Sequence, residues 1–134
     1  MKNDKQKTSA DYVRSVLEMY VGLPETPNRP RPLDRKLAQE LSERGIEVSI
    51  VEAALLLASV RRLARDSTAP KLSPVRSLHY FLPVIEEIRM TPLATDYVGY
   101  LRQKLAELVR KKGLRGFAIK SHYVGAGSKN RVSC

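Results

Sequence analysis

Apolar positions along the chain recur at helical spacing in several separate stretches, with prolines and glycines between them. Tyr12, Val13, Val16, Leu17 and Tyr20 share one face of a helix predicted from about Ser9 to Val21, with Thr8 or Ser9 as its cap. Gly22 and Pro24 stop it. The next stretch, Gly22 to Leu33, carries Pro24, Pro27, Pro30 and Pro32, which bars a helix or an inner strand and predicts an extended connector.

Asp34 is the expected N-cap of a second helix that turns Leu37, Ala38 and Leu41 inward. Gly45 suits the left-handed position after such a helix, with Ile46 packing back. A third helix is predicted from Ser49, where Ser49 and Glu52 fit a capping box, to about Arg65. It contains the longest apolar run of the chain, Ala53 to Ala58, and only Glu52 and Ser59 interrupt its apolar surface before Arg61.

Beyond a loop, Ser73 and Pro74 read as cap and first residue of a short helix to about Phe81. A second helix follows from Leu82 to Met90, with a break at Pro83. Leu78, Phe81, Leu82, Ile85 and Ile88 are expected to face the core. A last helix starts at Thr91-Pro92 or Thr95-Asp96 and runs to about Lys112, with Tyr97, Leu101, Leu105 and Leu108 as its stripe and Gly113 as its end. Phe117 to Ile119 could form a short strand or dock on the core, and disorder is expected from Gly125 onward.

The fold class these patterns predict is all-α, with five or six helices packed around a central apolar helix at about 49–65 and a basic, partly disordered C-terminal tail. The expected division is a flexible N-terminus over 1–8, one helical domain over 9–113 and the tail over 114–134. A chain of 134 residues suffices for one core. No apolar run reaches the ~20 residues of a bilayer span, and no signal peptide is recognisable. The lone cysteine, Cys134, allows no disulfide within the chain, so a cytoplasmic location without a membrane is expected.

Charge sharpens this outline. Twenty-four Lys and Arg against 14 Asp and Glu give a net +10, which favours a polyanionic partner. After Glu107 there is no acidic residue, while Arg110, Lys111, Lys112, Arg115, Lys120, Lys129 and Arg131 follow. The excess is therefore concentrated at the C-terminal end.

The pair of helices from Leu33 to Arg65 has a helix-turn-helix-like outline. Its second helix, however, lacks the polar outer face that reading base edges in a groove requires. Its arginine-rich end is the exception. Arg61, Arg62 and Arg65 suit the negative pole of the helix dipole, and they would equally suit phosphate. The candidate nucleic-acid-binding residues are Arg61, Arg62, Arg65, Arg110, Lys111, Lys112, Arg115 and Lys120, with Phe117 and Tyr123 as stacking groups if the strand is single.

No phosphate loop, Ser-His-Asp order or Cys/His constellation is present, so no enzyme, metal or cofactor is expected. His79 has no companion ligand, and the adjacent Glu86 and Glu87 point to different faces of a helix.

The run from Asp34 to Arg65, DRKLAQELSERGIEVSIVEAALLLASVRRLAR, is followed by SLHYFLPVIEEI from Ser77 to Ile88. Together they resemble the helical C-terminal domain of DnaD-like replication proteins and phage replisome organisers, over about residues 34–90. The chain lacks that family's late tryptophan, and Pro83 falls within the second stretch. The resemblance implies a DNA-associated role in replication initiation. The basic C-terminal part would meet DNA and the helical face another replication protein.

The expected function is a non-enzymatic DNA-binding accessory domain acting through phosphates. The alternatives are a protein-interaction adaptor and an RNA-binding protein. One continuous positive face joining the arginines at 61, 62 and 65 to the basic tail favours DNA. Separate patches, an apolar groove, or exposure of Tyr12, Tyr20, Tyr97 or Tyr100 favours the adaptor.

Overall fold

Every regular element among the described residues of the computed structural model, 2–66 and 68–114, is helical. In chain order these are α1 (Lys2–Val21), α2 (Pro32–Glu43), α3 (Val48–Leu63), a 3-10 turn (Leu78–Phe81), α4 (Leu82–Met90) and α5 (Thr95–Lys112). The all-α expectation holds. α1 starts at Lys2 rather than near Ser9, because the Lys- and Gln-rich lead-in holds no breaker and propagates the helix outward. The structural description ends at Leu114, so the possible strand at Phe117 to Ile119 lies outside it.

Glycine ends two helices in the same way. Gly45 (φ 75°) donates its N–H to the Ser42 carbonyl, Ile46 donates to Leu41, and the Ile46 side chain is buried. Gly113 (φ 64°) donates to Arg110, and Leu114 donates to Val109. Both are Schellman endings, and both place an apolar residue after the glycine against the core.

The start of α2 differs from the expectation. Arg31 occupies the cap position in extended backbone, Pro32 opens the helix, and Asp34 lies inside its first turn. The Asp34 carboxylate is fully buried and each oxygen accepts one backbone N–H: Oδ2 from Arg31 at 2.8 Å and Oδ1 from Leu78 at 2.9 Å. One side chain thus satisfies the starts of α2 and of the 3-10 turn together. Tyr20 packs beside it, edge-on to Phe81 at 6.1 Å between ring centres. Burial, and next the Asp34 charge, raise the Tyr20 phenol above its ordinary pKa.

α3 starts one residue earlier than expected, and Glu52 closes no capping box. The Glu52 carboxylate is instead buried and accepts from Arg102 of α5 at 2.7 Å. From Val51 to Ser59 every residue of α3 is buried, and the helix touches α1, α4, α5 and the 3-10 turn.

The expected helix from Pro74 to Phe81 is also corrected. The Val75 N–H is bonded to the Glu25 carbonyl at 3.0 Å and the Leu78 N–H to Asp34, so residues up to Ser77 stay non-helical. Ser77 caps the 3-10 turn by accepting from His79 N–H. Pro83 falls in the first turn of α4, where a missing N–H leaves no bond unmade, and no kink is needed. Leu78, Phe81, Ile85 and Ile88 are buried as expected, and Leu82 is partly so.

Asp34→Ala strips the partner from two N–H groups at once. It should lower the free energy of unfolding by about 2–4 kcal/mol, read by urea denaturation. A loss below about 1 kcal/mol would show that both groups find other acceptors.

Candidate nucleic-acid interface

Arg61 and Arg62 at the end of α3 and Arg65 just past it are each engaged within the chain; Arg62 and Arg65 share one cleft, whereas Arg61 turns to α4. Arg61 forms a two-pronged pair with Glu87 of α4, at 3.0 and 2.8 Å. That hydrogen bond raises the guanidinium pKa and lowers the Glu87 carboxyl pKa. Arg65 donates to the Pro70 carbonyl at 2.8 Å.

Arg62 is the most enclosed of the three, with a side chain only 6% exposed. Its Nε donates to Glu25 at 2.7 Å, and its other nitrogens donate to the Tyr80 hydroxyl and the Ser73 carbonyl. The Tyr80 ring lies 5.5 Å away. Glu25 itself has left-handed backbone (φ 62°), a conformation that disfavours a side chain and that its bonds to Arg62 and Val75 hold in place. These arginines fasten the proline connector, the loop after α3, and α4.

The cations at the end of α5 are placed differently. Arg110, Lys111 and Lys112 are exposed in its last turn, and their side chains make no hydrogen bond or ion pair among the described residues. Lys112 and Leu114 line a cleft of about 450 Å³ together with Arg62, Arg65 and Lys71, with Glu25 and Asp66 also on its wall. The ends of α3 and α5 therefore share one surface. Arg115, Phe117, Lys120 and Tyr123 lie outside the described residues.

The face of α5 is rotated from the expected stripe. Leu101, Leu105 and Val109 form its buried seam, whereas Tyr97 is 44% and Tyr100 is 50% exposed. The two tyrosine rings stack at 5.7 Å with 25° between planes. Lys104, Glu107 and Lys111 continue along the same face at spacings of three and four, a periodicity visible in the sequence but overlooked beside the leucine pattern.

A second concavity, about 690 Å³, runs between α1 and α2. Ala10, Val13, Leu17, Val21 and Pro30 give it an apolar floor, and Arg14, Glu18 and Arg35 edge it. No group of three His, Cys, Asp or Glu among the described residues is arranged to hold a metal. Glu86 and Glu87 answer to different arginines, Glu86 to Arg44 and Arg89 and Glu87 to Arg61. No helix among the described residues is long and apolar enough to cross a membrane. No family model, curated protein or solved structure matches the chain.

The Arg61–Glu87 pair makes an acid-range prediction. A carboxylate held below its ordinary value contributes stability that is complete above the unfolded pKa, about 4.3, and is lost as pH falls through the folded value. The stability difference between the protein and Arg61→Ala should therefore be present near pH 6 and shrink below about pH 4. Carboxyl NMR should show Glu87 titrating at a higher pH in the variant. An unchanged Glu87 titration would mean that the pair does not persist in solution.

Proposed function

We propose that the chain is a non-enzymatic DNA-binding accessory module that holds its partner mainly through phosphate contacts. One observation carries this reading: Lys112, in the same turn as the equally unengaged Arg110 and Lys111, lines the cleft that also takes in Arg62, Arg65 and Lys71. Cations at the end of a helix are also favoured by its dipole, which accounts for their presence there. The dipole does not account for the convergence of two such ends on one surface. Three of the chain's 24 Lys and Arg lie in this single turn of α5. The division of labour follows: α3 arginines build the surface, and the end of α5 meets phosphate.

The resemblance to DnaD-like replication proteins extends the proposal to replication initiation, with another replication protein as a further partner. The apolar groove between α1 and α2 and the exposure of Tyr97 and Tyr100 (Tyr20 being buried) favour a second reading, an interaction adaptor, and the two are compatible on one molecule because the groove is lined by different residues from the basic cleft. RNA offers the same phosphates, so binding must be compared across strands.

The test is binding to labelled single-stranded DNA, duplex DNA and RNA of about 30 nucleotides between about 50 and 200 mM salt. The full chain and a form ending at Gly113 are compared. Arg110→Ala/Lys111→Ala/Lys112→Ala should reduce the slope of log affinity against log salt by up to about three, roughly one for each phosphate no longer neutralised. Arg61→Ala, whose guanidinium Glu87 already holds, should change it by less than about one. Absence of any salt-sensitive binding at low ionic strength removes the proposal.

A further inference from the structure

Phosphate contacts leave the other exposed face of α5 unexplained. Tyr97 and Tyr100 stack on each other there, each about half open to solvent, and neither hydroxyl makes a hydrogen bond among the described residues. Along the same face, one to three turns on, come Lys104 and Lys111, both without an ion-pair partner among the described residues. Glu107 lies between them and is the one acidic group of the stripe.

We propose that Tyr97 and Tyr100 form a base-stacking platform and that the nucleic acid held along α5 is single-stranded; this rests on the DNA-binding function proposed above. Aromatic faces followed by lysines fit an unpaired strand, whose bases stack on rings while its phosphates track the cations. A duplex keeps its base faces covered by one another and offers the rings nothing comparable. The charge pattern also discriminates against a protein occupant. Apolar anchors for a protein partner lie in surfaces depleted of lysine, whereas here lysines continue the stripe.

The stripe from Tyr97 to Lys111 is about 21 Å long at ~1.5 Å per residue. That matches at most about six nucleotides at the ~3.4 Å spacing of stacked bases. It ends in the turn that carries Arg110 and Lys112, so the strand would run from the tyrosines toward the basic cleft.

The test compares, by fluorescence anisotropy, oligo-dT of about 20 nucleotides with an abasic deoxyribose-phosphate strand of the same length and charge. The unmodified chain should bind oligo-dT at least about tenfold more tightly, since stacking on one ring is enough for that difference. Tyr97→Leu/Tyr100→Leu should bring the two affinities together and leave the salt slope unchanged. Tyr97→Phe/Tyr100→Phe should keep the preference. Equal binding of the two strands by the unmodified protein overturns the platform while leaving phosphate binding in place, and it does so without relying on any variant. Absence of binding to either strand overturns both proposals. Tighter binding of oligo-U than of oligo-dT, still lost in the leucine variant, keeps the platform and moves the partner from DNA to RNA.

Discussion

From Val51 to Ser59, α3 has no side left for water, and this enclosure constrains the elements packed around it. The one acidic group in the enclosed stretch, Glu52, requires a cation, and Arg102 supplies it at 2.7 Å. The pair is imperfect: Glu52 Oε1 and Arg102 Nε are buried without a hydrogen-bond partner. Desolvating two charges offsets much of their attraction, so the pair is better understood as a constraint on orientation than as a source of stability. At ~100° per residue, a helix whose Leu101, Leu105 and Val109 face inward and whose Arg102 bends to α3 on one flank must carry Tyr97, Tyr100, Lys104 and Lys111 on the other. The buried glutamate and the exposed tyrosines are consequences of the same helix rotation.

Arginine-rich ends invite a functional reading, and the end of α3 shows why residue type alone is insufficient. A guanidinium has five N–H donors in a fixed fork, and Arg62 spends its fork on Glu25, Tyr80 and Ser73. Those three belong to the connector after α1, the 3-10 turn and the loop after α3. Segments that lack helical hydrogen bonds are thereby tied to a helix that has them. Lysine has no such fork and is poorly suited to the task. Lys111 and Lys112 of α5 are exposed and Lys104 is half-buried, and none of the three has an ion-pair partner among the described residues.

Features decided within a few residues were legible in the sequence. Gly45 and Gly113 mark helix ends because only their neighbours' carbonyls are involved, and the apolar run Ala53 to Ala58 announces burial by itself. Features decided by distant groups were not. Asp34 looks like a cap for its own helix, yet half of its role is an N–H at Leu78, 44 residues away. Ser73-Pro74 has the local form of a helix start, but Glu25 and Asp34 take the N–H groups of Val75 and Leu78. For the site the balance is similar. The basic turn at the end of α5 could be located from residue order alone, whereas nothing near Arg61 and Arg62 in the chain points to Glu87 and Glu25, their partners from other elements.

If α5 holds a strand as proposed, its chemistry also limits what the strand must be. A lysine is a point charge that meets phosphate without fixing a geometry, and a tyrosine ring stacks on any base. Sequence is read by paired donors and acceptors at base edges, a task for which Arg, Asn and Gln are suited. Gln103 is the one such amide on α5, and it lies away from the tyrosine stripe, toward the side opposite the buried seam. On that proposal the face of α5 would recognise that bases are unpaired without reading which bases they are. Such tolerance suits an accessory module that must follow a strand wherever it is opened, with the choice of site left to a partner.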